Sequence, residues 1–203
     1  MRYNDLNFRT TEAEDILIAV LTLTFAFTIA NFSHNSFHET IFGGLYILLV
    51  SFIAVLTAFL SHELAHRQVA RKFGGYSEFR IWPMGLLGSI FMSFFGFVAA
   101  APGAVNISGI YGNERIGKTA MAGPGTNIVL GTVFMVIAIV TFFIPHVSSF
   151  FISLSQINLY LATFNLIPFG PLDGYKVLTW DFRTFAVVFS LSIFLSVLSF
   201  AIF

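Results

Sequence analysis

Cysteine is absent from the sequence, and charged residues are scarce. Without thiols the chain can form neither a disulfide nor a thiolate metal site, so any metal must be held by histidine and carboxylate groups. Charged residues make up 10% of the chain, whereas soluble domains contain roughly 25%. With 57% hydrophobic residues and a mean hydropathy of +0.85, this composition excludes an ordinary soluble domain and indicates an integral membrane protein.

The charges also lack an excess of either sign. Ten lysine and arginine residues balance ten aspartate and glutamate residues, and no basic stretch predicts nucleic-acid binding. The first fifteen residues include Asp5, Glu12, Glu14 and Asp15, so they do not resemble the basic start of a signal peptide. No repeat or low-complexity segment interrupts the chain. We expect residues 1–203 to form one all-α membrane domain without an appended soluble domain.

Long apolar runs predict about five transmembrane helices, because about 20 apolar residues are needed to cross a bilayer. The predicted crossings are 15–32, 41–72, 119–144, 148–167 and 185–203. Residues 76–82 follow a Gly-Gly break, carry β-formers and predict a short strand. The apolar segment 84–105 is rich in glycine, so we interpret it as a re-entrant or hairpin element packed on the helices, with one further crossing as the alternative. Residues 106–118 predict a loop, and 168–184 a loop or a broken helix.

The lysine and arginine residues distinguish these two topologies. If 84–105 makes no net crossing, all ten lie on one side of the membrane, and the opposite loops at 33–40 and 145–147 contain none. A full crossing would instead place Arg115 and Lys118 outside. Because positive charge marks the cytoplasmic side, we prefer the re-entrant interpretation. It predicts that the N-terminus and the far end of the second crossing face the cytoplasm.

The second crossing ends in the sequence H-E-L-A-H at 62–66. On a helix, His62 and His66 lie on one face, one turn apart. Both imidazoles can then reach one Zn²⁺, with Glu63 beside them as the base that activates a metal-bound water. Ionisable groups at the end of a membrane helix are costly and predict a functional site. The alternative is an interfacial turn in which Glu63 merely pairs with Arg67 at i+4.

The fourth crossing closes in N-L-I-P-F-G-P-L-D-G at 165–174. A catalytic zinc usually has three protein ligands and a water. Without cysteine, a carboxylate is the natural third ligand, and Asp173 is predicted at the membrane depth of the two histidines. The prolines and glycines predict unwound backbone facing a cavity, where Asn165 could bind substrate backbone or a developing oxyanion. The alternative for Asp-Gly is a plain turn.

Two other polar patterns are less informative. The sequence A-G-P-G-T-N at 122–127 opens the third crossing, and we interpret it as close helix packing and a kink. His34 and His38 share i, i+4 spacing with Glu39 beside them, about a bilayer thickness from the other motifs. We expect an interfacial role there, with an accessory metal as the alternative. His146 follows a proline and predicts a structural turn.

Three motifs together carry a family resemblance: H-E-x-x-H at 62–66, A-G-P-x-x-N at 122–127 and N-x-x-P-x-x-x-L-D-G at 165–174. In this order and setting they resemble the site-2 protease family of intramembrane zinc metalloproteases. The resemblance covers the core from about residue 41 to 176. The last motif, preceded by H-E-x-x-H, is highly specific for the family.

The resemblance implies that His62, His66 and Asp173 bind one Zn²⁺ per chain and that Glu63 is the catalytic base. It also implies a membrane-associated hairpin after the first motif that presents substrate as an extended strand. The departures are small, since Ala65 stands where glycine is commoner and the segment after the strand is longer and more apolar than a simple hairpin. We expect the PDZ and CBS domains of many members to be absent.

We therefore expect an intramembrane protease that hydrolyses a peptide bond in or near a transmembrane segment of another protein within the lipid bilayer. A helical segment must unwind first, and pairing with the strand edge at 76–82 would replace its lost hydrogen bonds. A membrane zincin with a downstream Glu ligand is disfavoured, because only Glu78 and Glu114 follow Glu63. The alternative from another class is a non-catalytic metal-binding protein, either a transporter or a pseudoprotease. The sequence leaves the oligomeric state open.

Overall fold

The described part of the chain is mostly helical. The computed structural model describes residues 10–32, 41–98 and 103–202. In chain order the elements are α1 Glu12–Phe32, α2 Ile41–Ala54, a π-helical segment Val55–Leu60, α3 Ser61–Lys72, β1 Tyr76–Ile81, α4 Pro83–Ser93, β2 Gly103–Ser108, α5 Asn113–Val140, α6 Pro145–Asn165, α7 Asp173–Trp180 and α8 Phe182–Ile202. The fold class predicted from the sequence, an all-α membrane protein with a small hairpin, is confirmed.

Five helices among the described residues are long and apolar enough to cross a bilayer, which matches the predicted number. One of them is continuous through α2, the π-helical segment and α3. In contrast, α4 has 11 residues and spans about 16 Å at 1.5 Å per residue. That length is roughly half of the hydrocarbon thickness of a bilayer. The short α4 therefore agrees with the re-entrant interpretation of 84–105.

Several predicted boundaries were wrong. The strand β2 occupies residues that we assigned to the apolar element and to the following loop. The prediction missed this strand because its pairing partner β1 is distant in sequence. Helix α5 begins at Asn113 rather than at 119, since an i, i+4 pair between Glu114 and Lys118 supports a polar first turn. It ends at Val140 rather than at 144. The predicted loop at 145–147 is the first turn of α6. The segment 168–184, predicted as a loop or a broken helix, contains the short helix α7, which agrees with the second alternative, and α8 begins at Phe182 rather than at 185.

The two strands form an antiparallel hairpin whose connection contains α4. Tyr76 pairs with Ser108 at one end of the ladder and Ile81 with Gly103 at the other. A Cβ at Gly103 would stand 2.3 Å from the carbonyl oxygen of Arg80, so this strand approach requires glycine. Both strands pack against α3, and β1 also packs against α1. The hairpin therefore lies beside the helix that carries H-E-L-A-H.

The first turn of α1 joins the hairpin to this helix. Oε1 of Glu12 accepts hydrogen bonds from Nη1 of Arg67 and from the backbone N–H of Phe79, both at 3.0 Å. The partner of Arg67 is thus an acid of another helix. The alternative in which Glu63 pairs with Arg67 was wrong.

Close packing of α5 on α6 supports the other side of the site. A Cβ at Gly131 would stand 2.7 Å from Cγ of Leu159, and Oγ of Ser155 donates to the carbonyl oxygen of Gly131 at 2.8 Å. Small residues allow such close approach between membrane helices. Helix α5 also packs against α3 and α7, so it lies between the two elements that carry the histidines and Asp173.

Candidate metal centre

Three side chains from two distant motifs converge at one point. Nε2 of His62 and Nε2 of His66 are 3.0 Å apart. Oδ2 of Asp173 lies 3.3 Å from the first and 3.0 Å from the second. All three residues are buried, with 4%, 7% and 7% of their surface exposed in the order named. The structure thus brings together the three residues that the sequence predicted as metal ligands.

The spacing of these atoms fits zinc. Zinc binds histidine nitrogen at about 2.0–2.1 Å and carboxylate oxygen at about 2.0–2.2 Å, so tetrahedral ligand atoms are separated by about 3.3–3.5 Å. The observed separations of 3.0 to 3.3 Å are slightly shorter than these values. With both Nε2 atoms unprotonated, three lone pairs would face one another, an arrangement that a bound cation stabilises. The donor set of two imidazoles and one carboxylate is also one that zinc uses in catalytic sites.

Hydrogen bonding fixes the orientation of one histidine. Nδ1 of His66 lies 2.8 Å from the carbonyl oxygen of Thr119, and because a carbonyl only accepts, Nδ1 carries the proton. The lone pair of His66 Nε2 therefore faces the other ligand atoms. Such an outer hydrogen bond is the usual support of a metal-binding histidine. Nδ1 of His62 is buried and has no hydrogen-bond partner among the described residues.

Tight backbone packing delivers Asp173 to the histidines. The chain leaves α6 at Asn165, turns through Gly170 at φ +58° and re-enters helix at Asp173. A Cβ at Gly174 would stand 2.1 Å from the carbonyl oxygen of Leu166, so the Asp-Gly pair allows α7 to start against the end of α6. Burial alone would raise the pKa of the Asp173 carboxyl. Without a metal, the N–H groups and positive charge of the facing imidazoles outweigh burial and hold that pKa well below its usual range.

Gly123 contacts the site, although the sequence analysis interpreted its motif only as helix packing. A Cβ at Gly123 would stand 2.4 Å from Nε2 of His66 and 2.5 Å from Nε2 of His62. The same atom at Gly125 would meet nothing within 4 Å. The glycine thus leaves the space beside both ligand nitrogens free. The one sequence signal for a role of Gly123 at the metal site was its place in the motif at 122–127, near the start of the third predicted crossing.

A cavity of about 700 Å³ opens onto the three ligand residues. Glu63 lines it, and its carboxylate faces the backbone amide of Val105 in β2. Asn165 also lines the cavity, while its Nδ2 donates to the carbonyl oxygen of Leu161 at 3.0 Å. Lys176 reaches the same space from α7. All five residues singled out by sequence for ligation, catalysis or substrate support therefore face one cavity.

The second histidine pattern is not part of this site. His34, His38 and Glu39 lie outside the described residues. His146 lies in the first turn of α6, at the opposite end of that helix from Asn165. Among the described residues, the cluster of His62, His66 and Asp173 is the one group of three metal-ligating side chains close enough to share an ion.

Known proteins with similar sequences are named for zinc and proteolysis. The chain is 42% identical over 185 residues to "Putative zinc metalloprotease MJ0611" of Methanocaldococcus jannaschii, which covers 89% of this chain and 90% of that protein. It is 30% identical over 145 residues to "Putative zinc metalloprotease YwhC" of Bacillus subtilis, over 62% of this chain and 66% of that protein. "Putative zinc metalloprotease Rip3" of Mycobacterium tuberculosis is 33% identical over 129 residues, which are 62% of this chain and 29% of that protein. No protein-family model and no solved structure matches the chain.

Proposed function

Because the chain belongs to the site-2 protease family of zinc metalloproteases, we propose that it is an intramembrane endopeptidase. Its substrate is a membrane protein that is cut within or near a transmembrane segment. The convergence of His62, His66 and Asp173 at the end of a continuous membrane helix carries this proposal. Ionisable groups on a membrane helix cost free energy, so their position there indicates a function inside the membrane rather than that of a soluble protease.

The roles follow from position. His62, His66 and Asp173 would hold one zinc ion, and Glu63 is free to act because it is not one of these three residues. Zinc in such a site supplies Lewis acidity, which acidifies water and polarises a carbonyl. Glu63 accepts the proton of the attacking water and returns it to the amine that leaves. Asn165 lines the same cavity and offers its amide to the substrate backbone or to negative charge on the scissile carbonyl oxygen.

The geometry of the hairpin favours β2, rather than the edge of β1 that we first expected, as the strand that pairs with substrate. Glu12 occupies the backbone N–H of Phe79, so the outer edge of β1 is covered there. In an antiparallel pair, the backbone N–H and C=O groups of two opposite residues either both point towards the partner strand or both point away from it. Val105 lies opposite Phe79 and therefore directs its own amide away from β1. Because that amide faces Glu63, an added strand would pair with the backbone of Ile107, the next outward-facing residue of β2, and would run past Glu63.

A proline at position 107 tests this edge. Ile107 belongs to the same outward-facing set as Val105, and proline is tolerated on an edge strand because it removes only the outer N–H. We expect Ile107→Pro to lower kcat/KM by about 5-fold or more, which is the value of one backbone hydrogen bond, without loss of bound zinc. Ile107→Ala is the control, since it shortens the side chain and keeps the amide. Equal activity of the proline and alanine variants would contradict pairing at this edge.

The orientation in the membrane is part of the proposal. The described lysine and arginine residues lie on α3, β1, α5, α7 and α8, at the ends of the transmembrane helices that adjoin the candidate metal centre. By the positive-inside rule this end faces the cytoplasm. The substrate would enter from the bilayer and meet water at the cytoplasmic edge.

Bound zinc in the purified protein tests the metal site on which the proposed function depends. We expect close to one zinc per chain in detergent solution. His62→Ala and Asp173→Asn should lose most of it, because each removes one of three ligands. His146→Ala is the matched control and should keep the metal, since this histidine lies at the far end of α6. Zinc absent from the wild type, or retained in Asp173→Asn, would contradict a site built from both motifs.

A further inference from the structure

Lys176 lies one turn after Asp173 on α7, and its ammonium group contacts the same carboxylate that faces the histidines. Nζ of Lys176 is 3.2 Å from Oδ1 of Asp173. The other oxygen, Oδ2, is the one that faces His62 and His66 at 3.3 and 3.0 Å. Each oxygen of the carboxylate therefore has its own partner. The histidines take one oxygen and the lysine takes the other.

An ordinary surface ion pair does not have this geometry. Exposed pairs of lysine and carboxylate contribute little, because both side chains are solvated and mobile. Here the carboxylate side chain is only 10% exposed, whereas the lysine side chain is 45% exposed and lines the cavity. The pair of Lys118 with Glu114 shows the ordinary case, with 45% and 67% of the two side chains exposed. The ammonium group of a half-exposed lysine thus contacts an oxygen of a buried carboxylate.

We propose that Lys176 is a positioning residue that holds Oδ1 of Asp173 and restricts this carboxylate to binding zinc through one oxygen. The proposal rests on the zinc site of the proposed function. A carboxylate can bind a metal through one or both oxygens, and a catalytic zinc must keep a position open for water or substrate. By occupying Oδ1, Lys176 keeps the second oxygen from filling that position. Partners of this kind typically change metal affinity or activity by 10- to 100-fold.

Lys176→Met is the variant that tests this role. Methionine keeps an unbranched side chain of similar length and removes the ammonium group. We expect zinc affinity, measured by competition with a chelator, to fall about 10-fold. The cobalt-substituted protein should change the positions and intensities of its visible absorption bands, because the second carboxylate oxygen would take the fourth ligand position in place of water. Lys176→Arg should restore the affinity and the spectrum, since guanidinium also donates to a carboxylate.

Two controls separate this proposal from the proposed function. Lys72→Met makes the same change at an exposed lysine at the end of α3 and should leave affinity and spectrum unchanged. A wild type that binds no zinc or cobalt would overturn the proposed function and this inference with it. A wild type that binds zinc, together with a Lys176→Met variant of unchanged affinity and cobalt spectrum, would overturn the role of Lys176 alone. Lys176→Gln provides a second uncharged side chain if the methionine variant does not fold.

Discussion

Replacing Glu63 with glutamine is expected to abolish peptide hydrolysis and to leave zinc binding intact. Glutamine has nearly the same shape as glutamate but cannot accept the proton of the attacking water. The loss of a general base lowers the rate by about 10²- to 10⁴-fold. Zinc should remain, because the three ligand atoms belong to His62, His66 and Asp173. The amide can still face the backbone N–H of Val105 through its oxygen, so the local structure should persist.

The measurement pairs an activity with a metal content. Single-span membrane proteins that the wild type cleaves in detergent are incubated with each variant, and bound zinc is determined on the same samples. Glu114→Gln is the matched control, because Glu114 is exposed and pairs with Lys118 away from the cavity. Glu114→Gln should cleave at the wild-type rate. Cleavage by Glu63→Gln at a rate close to that of the wild type would refute Glu63 as the base.

Much of this architecture could be predicted from the sequence because the signals were local. Crossing a bilayer requires a long apolar run, so the apolar runs in the sequence predicted the number of transmembrane helices. The spacing of His62 and His66 follows from the helix repeat and needs no knowledge of the fold. Asp173 followed from a count of ligands in a chain without cysteine, together with its depth at the end of a helix. Each of these inferences needs only one helix, or the depth of a residue in the membrane, and no contact between distant segments.

The features that the sequence analysis missed depend on contacts between distant segments. β2 is a strand because β1 lies beside it, and neither its composition nor its flanks distinguish it from a loop. The covering of Phe79 by Glu12 decides which strand edge is free, and it links residues that are far apart in the sequence. The π-helical segment that immediately precedes α3 was likewise not predicted. Its wider turn changes the direction in which the following side chains point, and such segments are frequent at functional sites.

Gly123 is the clearest of these contacts, and replacing it with alanine should remove zinc without unfolding the protein. The new Cβ would stand 2.4 and 2.5 Å from the two ligand nitrogens, well inside contact distance. Both nitrogens lie at the far ends of side chains, so the imidazoles can turn away while the helices keep their places. Alanine also favours a helix over glycine by about 1 kcal/mol, which opposes a loss of stability. We expect zinc affinity to fall by about 100-fold or more, as for other losses of support around a metal.

Gly125→Ala separates this contact from general effects of alanine in the same helix. Gly125 lies two residues further along α5, and a Cβ there would meet nothing within 4 Å. We expect this variant to bind zinc like the wild type. Thermal unfolding of both variants without metal should resemble that of the metal-free wild type, whereas added zinc should stabilise only Gly125→Ala, because a ligand stabilises only a fold that binds it. If zinc stabilises Gly123→Ala as strongly, the motif at 122–127 only packs helices, as its sequence first indicated. If it does not, that motif leaves space for the metal, and all three motifs of the family meet at one site.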